Sequence, residues 1–103
     1  MYKFVFFVPE AYLESVKKAV FAAGAGKVGT YDFCSWQVKG SGQFMPRAGA
    51  NPFLGKVNEV ETVEEYRVEM LCEENLMHHV IRAFKHTHPY ETPAYEVLKL
   101  EDF

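Results

Sequence analysis

Tyr2-Lys3-Phe4-Val5-Phe6-Phe7-Val8 carries aromatic and β-branched residues at both its even and its odd positions. Successive side chains of a strand point to opposite faces, so a strand apolar on both sides belongs inside a sheet with cover above and below. This segment is therefore expected to be a central strand. Pro9 and Glu10 then read as the first turn of a helix, where proline loses no hydrogen bond and a carboxylate complements the helix N-terminus. Leu13, Val16, Val20 and Ala23 recur at three- and four-residue intervals, which gives that helix one apolar stripe. Gly24 and Gly26 suit the left-handed backbone that ends it.

Residues 30–38 return to strand composition, and the periodicity then disappears across residues 39–62. That interval holds Gly40, Gly42, Pro46, Gly49, Pro52 and Gly55. It reads as a structureless or short-hairpin insertion, longer than most connections inside a domain, and such loops commonly carry function. Residues 63–72 alternate again, with Tyr66, Val68, Met70 and Cys72 on one side and Glu65, Arg67 and Glu69 on the other, as in a half-buried strand. From Glu74 to Lys85 the apolar residues Leu76, Met77, Val80, Ile81, Ala83 and Phe84 fall within an arc of about 160° on a helical wheel. His78, His79, Arg82, Lys85 and His86 take the opposite, wet side. Residues 94–100 supply a last strand.

Strand, helix, strand, strand, helix, strand is the order of a split βαβ unit. It predicts an α+β, ferredoxin-like βαββαβ sandwich in which two helices cover one face of a four-stranded antiparallel sheet. The helices hide one face only. Because the first strand is apolar on both sides, the other face is expected to be partly apolar and partly ion-paired, and a second copy of the chain is its simplest cover.

At 103 residues, 49% hydrophobic and 16% aromatic, the chain suits one domain with a sizeable core. A net charge of −3 with scattered Lys and Arg gives no electrostatic footprint for nucleic acid. Cys34 and Cys72 have neither zinc-site spacing nor the density of a disulfide scaffold, and both read as reduced, buried thiols. The short apolar N-terminal run lacks a basic leader and cannot span a bilayer, so no membrane association and a cytoplasmic location are expected.

Several stretches together carry a resemblance to a known family. They are Gly24-Ala25-Gly26; Gly40-x-Gly42-x-Phe44-x-Pro46-x-x-Gly49-x-x-Pro52-x-x-Gly55; Glu65-x-Arg67-x-Glu69; and His88-Pro89-Tyr90-Glu91-x-Pro93-Ala94-Tyr95. In these the chain resembles the PII- and CutA-like domain inserted in the Nif-three-like dinuclear-metal hexameric proteins, and in particular its stand-alone, YqfO-type versions. The His-Pro-Tyr-Glu turn is also similar to one in the CutA divalent-cation tolerance proteins. The resemblance implies a PII/CutA-like fold and a trimer with ligand clefts between subunits. In the full-length relatives the two metals are held by flanking domains, so those ligands have no counterpart here. The name of GTP cyclohydrolase homologue borne by some of them implies no chemistry for this domain.

Two candidate sites follow. In the turn, His86, His88 and Glu91 could supply an oxygen and nitrogen ligand set for a divalent ion such as copper or zinc, with the two imidazoles pointing the same way along an extended stretch. The plainer reading has Pro89 and Pro93 fixing an extended approach to the last strand while His88 and Glu91 satisfy each other or backbone groups. In the loop, the backbone N–H groups around Gly40 and Gly42 could cradle a phosphate, with Arg47 as charge partner and Tyr90 nearby, where the PII proteins carry their signalling loop. The plainer reading is a hairpin that packs Phe44, Phe53 and Leu54 on a neighbouring subunit. No base is placed beside Cys34, and Glu64, Glu65 and Glu69, on one strand with Arg67, read as members of cross-strand ion pairs rather than a catalytic carboxylate pair. An oligomeric small-molecule or metal-ion binding module is therefore the leading expectation. A cation-handling protein like CutA comes second, and a nucleotide-processing enzyme has only the family name behind it.

Overall fold

The apolar N-terminal run becomes strand β1, Tyr2–Pro9, in a computed structural model of residues 1–103. After it come helix α1 (Leu13–Ala22), strands β2 (Trp36–Phe44) and β3 (Glu61–Cys72), helix α2 (Met77–Thr87) and strand β4 (Tyr95–Lys99), with a short 3-10 turn ahead of each helix. The sheet order is β2-β3-β1-β4, and each adjacent pair is antiparallel. β1 thus lies inside the sheet, and the architecture is the ferredoxin-like sandwich expected from the element order.

Register sorts the residues onto two faces. Phe4, Phe6 and Val8 sit opposite Met70, Val68 and Tyr66 of β3, and Phe4 and Phe6 opposite Val97 and Tyr95 of β4. On this face the helices deliver Leu13, Val16 and Val20 from α1 and Met77, Val80 and Phe84 from α2, closing one core. Phe84 is its keystone, with ring centroids 5.4 Å from Phe4, 5.1 Å from Phe6 and 5.5 Å from Tyr95. Each such buried ring contributes about 1.5–3 kcal/mol of transfer free energy.

The opposite face has no helix over it. Lys3, Val5 and Phe7 of β1 share it with Val63, Glu65, Arg67 and Glu69 of β3 and, by register, with Trp36, Val38, Gly40 and Gly42 of β2. Val5 is fully buried even so. The Glu69 carboxylate lies in the adjacent ladder position and holds Lys3 Nζ at 3.3 Å and Arg67 Nε at 3.6 Å. Arg67 in turn lies 5.9 Å from the centroid of the Phe7 ring. Long charged side chains cover apolar surface with their stems in this way.

Three expectations need correction. Pro9 ends β1 rather than opening the helix. Its ψ of 148° is extended, and Glu10 begins the 3-10 turn. The strand expected from residue 30 starts only at Trp36. The segment before it is tied down by Gly26 N–H to Leu71 O and Cys34 N–H to Gly26 O, both 2.8 Å, and Phe33 adopts a φ of 58° there. Residues 39–44, read as loop because of their glycines, continue β2 and pair residue by residue with β3 as far as Phe44 opposite Glu61. Glycine weakens a strand but keeps both ladder groups, so pairing wins once β3 is long enough to supply partners. The connecting loop is therefore 45–60. Finally, no helix is long and apolar enough to cross a membrane.

Candidate functional site

The 45–60 loop folds back over the uncovered face of the sheet. Ala50 N–H donates to Arg47 O at 3.0 Å with Gly49 at a φ of 96°, a tight turn that needs glycine at its third position. Asn58 N–H donates to Pro46 O at 2.7 Å and closes the base of the loop. Near the loop's middle, Asn51 N–H donates to the Glu91 carboxylate at 2.6 Å, fastening the loop to the His-Pro-Tyr-Glu turn. Aromatic contacts complete the junction, with Phe53 5.6 Å from Tyr12 and 6.2 Å from Tyr90, and Phe44 6.1 Å from Tyr90.

His88 fixes the turn from below. It is the one buried polar side chain of the chain's interior, 6% exposed. Its Nε2 lies 2.8 Å from Phe7 O and its Nδ1 accepts the Tyr90 N–H at 3.1 Å. A carbonyl can only accept, so Nε2 carries the proton and the ring is the neutral tautomer. Burial pushes the His88 pKa below its ordinary value, with the bond to Phe7 O opposing in part.

Between loop, turn and sheet lies a pocket of about 340 Å³. Phe7 and Glu65 form its floor, Phe44, Pro46, Pro52 and Phe53 the loop side, and Tyr90 and Glu91 the turn side. Burial raises the pKa of the Glu65 carboxyl. The Tyr90 phenol is raised by burial and, in addition, by the nearby charges of Glu65 and Glu61. Its hydroxyl is shielded from solvent and has no hydrogen-bond partner among the protein's own groups.

Of the residues singled out in the sequence, Tyr90 and Glu91 line this pocket, whereas Gly40, Gly42, Arg47, His86 and His88 do not. Arg47 is exposed on the outer turn of the loop, so the anion cradle expected around it does not form. Gly40 faces open space, but the Glu65 carboxylate occupies the place a Cβ on Gly42 would need. Gly42 thus makes room for a pocket residue. Replacing Gly42 with alanine should push the Glu65 carboxylate aside, and because that is the far end of a flexible side chain the cost should stay at or below about 1 kcal/mol. Gly40→Ala should be neutral or slightly stabilising, and parallel urea titrations of the two variants compare them. Equal costs would remove the assigned role of Gly42.

The metal set is not assembled either. α2 runs on through Thr87, so His86 stands exposed on a helix instead of beside His88 on an extended stretch. Both nitrogens of His88 and the Glu91 carboxylate are engaged with backbone groups, as the plainer reading of the turn had it. No three His, Cys, Asp or Glu side chains converge as ligands would, and these donors do not fit a resident divalent ion. Cys34, expected to be buried, is half-buried ahead of β2, while Cys72 is buried as expected. Phe44, Phe53 and Leu54, expected to pack on a neighbour, line the chain's own pocket, and Phe53 keeps half of its surface exposed. Phe7 and Glu65, which form the floor, are among the pocket residues that sequence reasoning missed. A usable signal existed for Glu65, since a glycine diagonal to a long side chain across a ladder leaves it room to lie flat.

No family model matches the chain. A Mycobacterium tuberculosis protein named GTP cyclohydrolase 1 type 2 homolog is 45% identical over 98 residues, which are 95% of this chain and 26% of that protein. Its Halalkalibacterium halodurans namesake is 42% identical over 100 residues, 97% of this chain and 27% of that one. The crystal structure of a Bacillus cereus protein related to NIF3 superposes with a TM-score of 0.85 at 39% identity, over 98% of this chain and 26% of that one. The chain carries the PII/CutA-like domain of the Nif-three-like family. This Nif-three-like domain spans about a quarter of the length of the curated relatives it matches. The periplasmic divalent cation tolerance protein CutA from Archaeoglobus fulgidus, at 16% identity and a TM-score of 0.70 over 100% of this chain and 87% of its own, shares the fold.

Proposed function

We propose that this Nif-three-like domain is a self-associating binding module, which joins copies through the uncovered face of its sheet and holds a small molecule beneath the 45–60 loop. One observation carries the reading. Trp36 and Val38 on edge strand β2 and Leu98 on the opposite edge strand β4 lie on that face with 61%, 45% and 48% of their surface exposed, whereas the other face carries the core along β1. Large apolar side chains exposed together mark an interaction surface, and tryptophan is the residue most often found at the centre of one. By its fold resemblance to the PII and CutA proteins, the assembly is proposed to be a trimer, with its loops near subunit boundaries.

The cation tolerance named for CutA finds no support in the turn, whose donors are already engaged. The cyclohydrolase name of the longer relatives likewise finds no catalytic constellation in this domain. With two free cysteines and a net charge of −3, the proposed setting is the reducing cytoplasm, and neither nucleic acid nor a membrane is a proposed partner. Sedimentation velocity at tens of micromolar tests the assembly. A particle of about three chain masses is expected, and a strict 11.8 kDa monomer would overturn the proposal.

A further inference from the structure

The pocket's charge, walls and size together restrict what it can hold. Glu65 and Glu91 are its charged lining residues, with no Lys, Arg or His among the lining groups. Glu91 already accepts a backbone N–H from the loop, which leaves Glu65 as the carboxylate without a hydrogen-bonded partner inside the site. Arg67, close to the Phe7 ring, lies outside the lining and is paired with Glu69. An anion placed here would face carboxylates with no counter-charge, in a site where the walls are apolar and screening is weak.

The walls favour the opposite sign. Phe7, Phe44, Phe53 and Tyr90 all line the pocket, and the face of an aromatic ring attracts a cation. The Tyr90 hydroxyl itself is shielded, so Tyr90 offers the pocket its ring rather than its oxygen. A volume of about 340 Å³ stands near the small end of ligand pockets, enough for one ring or a branched chain with a short arm.

We propose that the pocket selects a small organic cation, an ammonium group carried on an aromatic or branched apolar body. The ammonium lies at the Glu65 carboxylate beside the Tyr90 ring, and the body lies against Phe44, Phe53 and Pro52. Gly42 belongs to the selection indirectly, because it lets the Glu65 side chain lie across β2. This deepens the binding half of the function proposed above and rests on it.

The test uses three probes of one shape and different charge: 2-phenylethylammonium, 2-phenylethanol and 3-phenylpropionate. Each is titrated into the whole chain and followed through backbone amide NMR shifts. The ammonium should give saturable shifts at Phe44, Glu65 and Tyr90, with a dissociation constant at least about tenfold below either other probe. Glu65→Gln should erase that preference. If the alcohol or the carboxylate binds as tightly as the ammonium, cation selection is wrong while the pocket stands as a binding site. Should none of the three saturate, the pocket reading fails as well. The three-probe comparison on the unaltered chain decides the matter even if a variant folds poorly.

Discussion

His88→Ala is expected to lower the unfolding free energy by about 3 kcal/mol, as read from urea titrations at neutral pH. The side chain is buried, its ring packs 5.2 Å from Phe84 and 4.9 Å from Tyr90, and its two nitrogens satisfy Phe7 O and Tyr90 N–H. Removing it leaves a buried donor and a buried acceptor unpaired and a hole beside the core's central ring. The same substitution should loosen the pocket, because His88 is what fixes Tyr90 to the edge of β1. A change below about 1 kcal/mol would mean that the turn is held by its prolines alone.

The pH dependence of the unaltered chain should show the same residue. Burial holds the His88 pKa below its ordinary 6.5, so the unfolded chain takes up a proton that the folded chain refuses. Stability is then fully present above that value and falls as pH drops below it, by up to about 1.4 kcal/mol per unit until the folded pKa is reached. Glu65 acts with the opposite sign, since its raised pKa makes the folded state the better proton acceptor in the carboxylate range. The clean window therefore runs from about pH 7 down to about 5.5, and the His88→Gln variant should lose the slope there.

These two residues also show where the sequence was readable. β1 could be placed inside the sheet because its two-sided apolar pattern admits hardly any other position, and the arc of α2 put Val80 and Phe84 inward because a wheel leaves them nowhere else to go. Burial leaves a strong mark on composition. β2 was half missed because its middle, Lys39-Gly40-Ser41-Gly42-Gln43, is held by backbone pairing to β3, which has no side-chain signature. The turn was legible as a landmark but not as chemistry. Whether His88 is a ligand or a strut depends on Phe7 O, a backbone atom 81 positions away, and no spacing rule reaches that far. Arg47 illustrates the converse, a residue of suitable charge on the right loop that the turn at Gly49 leaves on the outside.

The uncovered face allows a sharper test of assembly than mass alone. In the register of β2 with β3, Trp36 lies opposite Glu69 and Val38 opposite Arg67. The double variant Trp36→Lys, Val38→Glu therefore sets each new charge across from its opposite and leaves net charge unchanged, so the isolated fold should lose little. An interface built on this face would instead have to bury two charges in place of an indole and an isopropyl group. Self-association should weaken by at least about 100-fold, or about 2.7 kcal/mol, in sedimentation equilibrium. Ala22→Glu, exposed on α1 across the molecule, serves as the control and should assemble as before. If the double variant assembles like the control, the copies do not meet on the sheet, and the exposure of Trp36 and Leu98 must be answered by some other partner.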